Sequence, residues 1–251
     1  MRPATMLLIS LASLLLFGCT GNAKQAKRDK DAEFYYSLAV NNFYAQNSQA
    51  ALKELDSCFR LNPDHLKAHN LAGLIYLGRK QFTDALTHME KALSLDPEYH
   101  EARANLGAVY MAMSDWNRAI AVLSPLLHER LYPTPYLVEN NIGWAHFKLG
   151  NMLQAEQHLK RALFVNNQFC LAYSNLGVVH KKLGRTEDAM LDFNAAIKRC
   201  PEFVEPYYRV GIILQDKGEF KEAEKRFKQC ERMGGESLFG RRCSRKLQAY
   251  K

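Results

Sequence analysis

Histidine residues are the first candidates for metal binding or catalysis in this chain. His65 and His69 are four residues apart, a spacing that binds zinc when both side chains lie on one face of a helix. They lie on either side of a predicted helix start, however, and no Glu stands between them. His146 and His180 each follow a glycine by three residues, at a position where other segments carry Tyr, so we interpret them as structural. The sequence also lacks a phosphate-binding glycine loop and a serine nucleophile elbow, and it predicts neither an enzyme, a metal site nor a cofactor.

The N-terminus has the pattern of a secretory signal peptide. Arg2 supplies a positive charge, Met6 to Phe17 form an apolar run, and Gly18 and Cys19 follow it. This run is shorter than the about 20 residues that a membrane-spanning helix needs. We therefore expect residues 1–18 to be a cleaved signal peptide.

The residues at the end of this run are Leu16-Phe17-Gly18-Cys19, which resembles a bacterial lipobox. The resemblance implies that a lipid is attached to the thiol of Cys19, that the chain is cut before it, and that the new amine is acylated. Several acyl chains on one residue anchor a protein stably. In Gram-negative lipoproteins, a residue such as Thr20 in place of Asp implies export to the outer membrane. The alternative is an ordinary signal peptide in which Cys19 is coincidental.

The segment that follows has no large apolar side chain between residues 20 and 31, so it cannot contribute to a core. We expect residues 19–31 to form a lipidated, flexible tether. Its cations either rest on anionic lipid headgroups or are simply solvated; they are Lys24, Lys27, Arg28 and Lys30. The net charge of +8 lies partly here and partly near the C-terminus. Nucleic acid is not an expected partner, because an exported lipoprotein does not meet it.

Five cysteines remain beyond the predicted lipidation site: Cys58, Cys170, Cys200, Cys230 and Cys243. Export to an oxidising compartment permits disulfides, and an odd number leaves at least one thiol free. Cys200 ends one predicted helix and Cys230 lies in the equivalent helix stacked beside it, so we expect a Cys200–Cys230 disulfide. A Cys230–Cys243 pair is the alternative. No CxxC spacing occurs, which argues against a redox or metal motif.

Small residues recur along the chain at a fixed period. One set is Ala39, Gly73, Gly107, Gly143, Gly177 and Gly211, and a second is Ala51, Ala85, Ala119, Ala155, Ala189 and Ala223. Both sets step by 34, 34, 36, 34 and 34 residues. A 34-residue period with small residues at two fixed points is typical of tetratricopeptide repeats, each a pair of helices A and B. A side chain larger than methyl at these points would push the crossing helices apart.

The predicted fold is therefore all-α: a right-handed superhelical solenoid of six tetratricopeptide repeats with a C-terminal capping helix. We place the repeats at 32–65, 66–99, 100–135, 136–169, 170–203 and 204–237, and the capping helix at 238–251. Such a solenoid has a concave surface that binds other proteins. We expect a monomer.

In this repeat family helix A lines the concave face, which implies a set of groove positions. These positions are apolar in the first three repeats and charged in the last two, and exposed apolar stretches mark partner sites. The predicted peptide-binding residues are Tyr36, Val40, Phe43, Tyr44, Asn70, Leu74, Leu77, Ala108 and Met113. The alternative for each of them is packing against a neighbouring helix. The family's two-carboxylate clamp is absent, so apolar or amphipathic segments are the expected ligands.

Six regular repeats behind a lipobox resemble the type IV pilus biogenesis lipoproteins of Gram-negative bacteria, the PilF/PilW/Tgl-type pilotins. The resemblance implies a lipid-anchored protein on the periplasmic face of the outer membrane. It also implies that the protein binds secretin subunits through an apolar or amphipathic segment and promotes their outer-membrane targeting and multimer assembly. The rival hypothesis is another periplasmic scaffold lipoprotein, serving a protease, a peptidoglycan enzyme or barrel assembly.

Overall fold

The computed structural model describes the backbone of residues 7–248 and the side chains of residues 24–248. Within that part, every regular element is a helix, which confirms the predicted all-α fold class. The chain divides into two compact units, unit 1 at Met1–Val109 and unit 2 at Tyr110–Lys251. The side chains of the predicted signal peptide and of Cys19 lie outside the described residues.

No helix in the described part of the chain combines the length and the apolar character that crossing a membrane requires.

Unit 1 is built from antiparallel helix pairs. Its helices are α1 (Leu7–Tyr44), α2 (Ser48–Leu61), α3 (Leu66–Gly78), α4 (Phe82–Leu95) and most of α5 (His100–Ala112). Side chains cap the starts of two of them, because the first amides of a helix have no partner within it. Asn47 accepts a hydrogen bond from the amide of Ala50 at 3.1 Å, and the imidazole of His65 accepts one from the amide of Ala68 at 3.2 Å. His65 is thus used as a helix cap.

Unit 2 continues the same pattern and ends on an additional helix. Its helices are α6 (Trp116–Leu123), α7 (Pro135–Lys148), α8 (Met152–Val165), α9 (Cys170–Lys182), α10 (Thr186–Arg199), α11 (Val204–Asp216), α12 (Phe220–Gly234) and α13 (Leu238–Gln248). A short 3₁₀ helix, Ser124–His128, follows α6. The two extra residues of the third repeat fall in the loop before Pro135, which is the first residue of α7.

The glycines of the predicted helix crossings accept one bulky side chain each. A Cβ added at Gly73 would lie 2.6 Å from Met89, and one added at Gly177 would lie 2.7 Å from the ring of Phe193. Gly211 has the same relation to Phe227, at 2.5 Å. In each pair the bulky residue follows the glycine by sixteen positions and is buried. The period of small residues is therefore the period of close helix packing.

The turn between the two helices of each repeat contains a residue in the left-handed backbone region. These residues are Gln46, Lys80, Ser114, Gly150, Gly184 and Gly218, with φ between 60° and 84°. They repeat at the same 34- and 36-residue steps as the small helical residues. A non-glycine residue costs about 1–2 kcal/mol in this conformation, so the first three turns are strained where the last three are not.

The expectation of a flexible tether differs from the structure. Residues 20–31 are helical and continuous with the rest of α1. The amide of Asn62 donates to the carboxylate of Asp29 at 3.1 Å, and Arg28 donates to the carbonyl of Arg60 at 3.5 Å. Ala, Lys, Gln and Arg are strong helix formers, and adding residues to an existing helix is far easier than starting one. The lack of large apolar residues keeps this segment out of the core but does not prevent it from being helical.

The disulfides also differ from the expected pairing. The predicted Cys200–Cys230 bond is wrong; Cys200 pairs with Cys170, with a Cα–Cα distance of 6.2 Å. Cys230 pairs with Cys243 at 6.0 Å, which was the alternative. Because Cys200 lies just after α10 and Cys170 begins α9, the bond links two helices of one repeat. Among the cysteines whose side chains are described, Cys58 is the free thiol, and burial raises its pKa to about 11.

The last helix, α13, is held against α12 by the Cys230–Cys243 bond and by a close backbone approach. A Cβ on Gly240 would collide with the backbone of Gly234 and Gly235, so only glycine allows this approach. Cys243 and Leu247 of α13 join the buried cluster that contains Phe227. The core of unit 2 therefore extends into α13.

Candidate peptide-binding surface

The predicted binding residues of α1 differ in how far they are exposed. Val40 and Phe43 are half-buried and pack against the core of unit 1. Tyr36 is also half-buried, with its ring 5.0 Å from that of His65, and burial together with the carboxylate of Glu33 raises its pKa. Tyr44 is 80% exposed. Three of these side chains thus contribute to packing, as the alternative interpretation expected, and Tyr44 is the exposed one.

The predicted binding residues of α3 and α5 have a similar division. Leu74, Leu77 and Ala108 are half-buried. Asn70 is buried, and its amide donates to the hydroxyl of Tyr99 at 3.2 Å while its oxygen accepts from Asn105 at 2.9 Å. The structure therefore corrects the prediction for Asn70, whose polar groups are used to join α3 to α5.

Met113, the last predicted binding residue, belongs to unit 2 and is 37% exposed.

Unit 2 contains a cavity of about 380 Å³ with an apolar floor. Its floor includes Phe147 from α7, Val178 from α9 and Ile212 from α11. Lys181, Lys182 and Arg209 also line it, as do Phe193, Tyr208 and Ile213. The family's groove positions on three successive A helices thus meet in one concave surface.

A second, strongly basic cavity adjoins the first and shares Tyr208 and Arg209 with it. Its other lining residues come from α13: Arg242, Arg245 and Lys246. The guanidinium of Arg242 lies 5.9 Å from the ring centre of Tyr208 and 5.2 Å from that of Phe239, within the range of cation–π attraction. The capping helix therefore contributes charge to the concave side of unit 2 as well as closing the core.

A third cavity, of about 330 Å³, lies on the same A helices and is more polar than the first. Trp144 and Leu171 provide its apolar walls, and Asn140, Asn175 and Glu205 its polar groups. Asn175 donates to the oxygen of Asn140 at 2.8 Å, which is the same link between successive A helices that Asn70 and Asn105 make in unit 1. Arg209 also lines this cavity, so it borders all three.

Sequence reasoning missed this surface as a site. The sequence assigned binding to the first three repeats, because the groove positions of the last two carry charge. Tyr208 and Arg209 were not considered, although they lie one helical turn before Ile212 and thus on the same face of α11.

Several histidines of the chain have structural partners. His180 lies 2.6 Å from Asp192 and 3.3 Å from Glu156, and His146 stacks on His158. His69 contacts the carbonyl of Pro63 at 2.9 Å, and burial lowers its pKa. Across the described side chains, no group of three or more His, Cys, Asp or Glu residues is arranged to hold a metal ion.

Glu156 is the centre of an ion-pair cluster in unit 2. Its carboxylate lies 2.6 Å from Lys160 and 3.0 Å from Arg185, in addition to His180. Burial acts to raise the pKa of Glu156, but the hydrogen bonds from these three residues outweigh it and lower the pKa to about 2. This cluster links α8 to α9 and to the start of α10, so its role is structural.

Family models for the tetratricopeptide repeat match residues 36–100 and 140–202, and a further one matches residues 76–131. Together these matches cover more than half of the sequence. The chain therefore belongs to the tetratricopeptide repeat family. Scaffolds of this family typically bind other proteins and are not typically enzymes.

Among sequence relatives, the chain is similar to the type IV pilus assembly protein PilF of Pseudomonas aeruginosa, with 21% identity over 165 residues. This match covers 63% of the chain and 66% of PilF. It is also 36% identical over 67 residues to human tetratricopeptide repeat protein 6, covering 27% of the chain and 13% of that protein. The chain thus spans slightly less than two thirds of PilF and a small part of the human protein.

Solved structures show the same fold. PilW, described as a widely conserved type IV pilus biogenesis factor, matches with a TM-score of 0.76 and 23% identity over 84% of this chain and 96% of PilW. PilF of Pseudomonas aeruginosa matches with a TM-score of 0.73 and 19% identity over 90% of this chain and all of that structure. The MamA protein matches with a TM-score of 0.55 and 26% identity over 67% of this chain and 91% of that structure. The predicted resemblance to PilF and PilW is confirmed.

Proposed function

We propose that this protein is an outer-membrane lipoprotein that acts as a pilotin for type IV pili. In this role it binds secretin subunits in the periplasm and promotes their targeting to the outer membrane and their assembly into multimers. The observation that supports the proposal is the extent of the fold similarity. It covers 84% of the chain against PilW and 90% against PilF, which is far more than a shared repeat pair.

The apolar residues of unit 1 are the proposed contact for the secretin segment. Tyr44 is 80% exposed, and Leu74 and Leu77 are half-buried. An amphipathic segment that covers such side chains gains about 25 cal/mol for each Å² of apolar surface removed from water. The same segment would be prone to aggregate when unprotected, so binding would keep the subunit soluble until it assembles.

Helix α1 connects the proposed anchor, Cys19, to the apolar residues of unit 1 and so sets the distance between them. Residues 7–44 are one helix, so Cys19 and Tyr44 belong to the same element. At about 1.5 Å per residue, the twenty-five steps between them correspond to about 38 Å. Tethering a binding site this close to the membrane raises the local concentration of its ligand there. The exposed cations Lys24 and Lys27 would face the headgroup region.

The anchor is tested by Cys19→Ala. The wild-type protein should fractionate with the outer membrane and carry the mass of its acyl chains, whereas the variant should be found in the soluble fraction with an unchanged melting curve. A wild-type protein without acyl mass, or a variant that stays with the membrane, would refute the lipoprotein part of the proposal.

The secretin role is tested by Tyr44→Asp combined with Leu77→Asp. A charge at these positions must be desolvated against an apolar ligand, which costs several kcal/mol unless it is paired. At equal protein level, cells with this variant should lose secretin multimers and pilus-dependent motility. Phe164→Asp is the matched control, because Phe164 is 92% exposed and lies on α8, a B helix.

Crosslinking from position 44 separates the pilotin from other adaptors. Recovery of a secretin subunit supports the proposal. Recovery of a protease, a peptidoglycan enzyme or a barrel-assembly protein, with normal secretin multimers in the double variant, would contradict it.

A further inference from the structure

The concave surface of unit 2 combines an apolar cavity with an excess of positive charge. Its apolar floor is formed by Phe147, Val178 and Ile212, which are half-buried although they are large and hydrophobic. A cavity of about 380 Å³ is at the lower end of the about 300–1,000 Å³ range of ligand pockets. It therefore suits one or two large side chains of a bound segment.

Six cationic side chains line this cavity and the basic one beside it: Lys181, Lys182, Arg209, Arg242, Arg245 and Lys246. Two carboxylates of the described residues form ion pairs with them. Arg209 lies 2.8 Å from Glu205, and Lys181 lies 3.4 Å from Asp216, a long pair in which the side chain of Asp216 is 57% exposed. Most of the positive charge on this surface is thus left to attract an external anion.

The cations around the cavity come from three helices. Lys181 and Lys182 come from the end of α9, Arg209 from α11, and the remaining cations from α13. Their charges act on a ligand within a Debye length of about 8–10 Å at ordinary salt concentrations. An apolar side chain seated on the floor would place its flanking residues within reach of these cations.

We propose that this surface of unit 2 binds a segment of a partner protein in which an aromatic or large aliphatic residue is flanked by Asp or Glu residues. The apolar residue occupies the cavity lined by Phe147, Val178 and Ile212, and the acidic residues face Lys181, Lys182 and the cations of α13. This inference goes beyond the proposed function, because it concerns a different unit of the chain and a ligand chemistry that the residues of unit 1 do not select.

The test uses a short fluorescein-labelled peptide with a central Phe flanked by Asp residues on both sides, titrated with the purified full-length protein. Two matched peptides replace either the Phe by Ser or every Asp by Asn. Burying a Phe side chain is worth about ten- to a hundredfold in affinity, so the Ser peptide should bind at least about tenfold more weakly. The Asn peptide should also bind more weakly, and only the Asp peptide should lose affinity steeply as salt is added.

Protein variants locate the binding site. Lys181→Ala with Lys182→Ala should weaken binding of the Asp peptide by about three- to tenfold and leave the Asn peptide unaffected. The matched control is Lys225→Ala with Lys228→Ala, because these lysines are 67% and 66% exposed and lie on α12, a B helix. The control should bind all three peptides like the wild-type protein. All four lysines are on the surface, and melting curves confirm that each variant is folded.

Three results would overturn the inference. One is equal affinity for the three peptides, and another is an unchanged affinity of the Asp peptide for the Lys181 and Lys182 variant. The third is a different occupant of the surface. The protein would then form dimers in sedimentation or bind phosphatidylglycerol vesicles, the Lys181 and Lys182 variant would abolish that association, and the peptides would not compete with it. Because the assay contains no secretin and does not involve Tyr44 or Leu77, its failure would leave the proposed function untouched.

Discussion

Replacing Gly177 by Ala tests whether the helix crossing inside a repeat limits the stability of unit 2. The added methyl group would lie 2.7 Å from one ring carbon of Phe193 and 2.9 Å from two others. The optimal separation of two non-bonded carbon atoms is about 3.5–4.0 Å. Phe193 is 1% exposed and so cannot swing away into solvent. One methyl group must therefore separate α9 from α10 or displace a buried ring.

The magnitude follows from two opposing effects. Overpacking of a filled core costs about 1–3 kcal/mol. Replacing a helical glycine by alanine gains up to about 1 kcal/mol. We expect a net loss of about 1–2 kcal/mol in the free energy of unfolding. For a domain of this size, that corresponds to a fall of about 3–6 °C in melting temperature.

Tryptophan fluorescence measures this effect in the relevant unit, because both tryptophans of the chain, Trp116 and Trp144, belong to unit 2. Circular dichroism follows the whole chain. Gly78→Ala is the matched control, since a Cβ at Gly78 meets no atom within 4 Å. The control should melt at or slightly above the wild-type temperature.

A double variant makes the test specific. The first repeat carries Ala39 and Leu55 at the two positions that Gly177 and Phe193 occupy in the fifth, and both are buried in one cluster. Gly177→Ala with Phe193→Leu transfers that pair. Its loss of stability should be smaller than the sum of the two single losses by at least about 1 kcal/mol. Simple additivity, or a single Gly177 variant as stable as the Gly78 control, would refute the packing argument.

Three further predictions concern the turns, the ion pairs and the cap. Gln46→Gly should raise stability by about 1 kcal/mol in thermal melts, because Gln46 has a φ of 60°; no gain would mean that its strain is relieved locally. Glu156→Gln should lower the free energy of unfolding by up to about 3 kcal/mol at pH 7, measured by urea titration. Because the pKa of Glu156 in the folded state, about 2, lies below the ordinary 4.5, the difference in stability between wild type and variant should be complete above pH 4.5 and should vanish toward pH 2. A constant difference across that range would contradict the assignment. Replacing Cys230 and Cys243 by Ala should cost about 3 kcal/mol, with α13 amides the first to lose hydrogen-exchange protection; uniform loss across unit 2 would argue against a separable cap.

The repeat and the helix pairs could be predicted from the sequence, because the constraint behind them is local and recurs. A glycine or alanine on helix A and a bulky residue sixteen positions later must both be present for two helices to cross closely, as Gly73 and Met89 do. Each such pair lies within one repeat, so its spacing is visible along the chain. The residue that follows each A helix in the left-handed region has the same period, but Gln46, Lys80 and Ser114 share no residue type and gave no signal.

Features that depend on distances between segments could not be predicted in this way and follow from the folded structure. The repeat order suggested that Cys200 is a neighbour of Cys230, but its Cα lies 6.2 Å from that of Cys170, with which it pairs. A disulfide forms only where the Cα–Cα distance and the side-chain directions permit it. Asn70 was a binding candidate by position, but it is buried and its oxygen accepts a hydrogen bond from Asn105. Residues 20–31 have no large apolar side chain, but they continue a helix that is already formed. The surface of unit 2 that combines the apolar cavity with the basic one is formed by five helices, so no single stretch of sequence contains its residues. Local packing rules repeat with the sequence, whereas a pairing or a cavity exists only after the helices have been brought together.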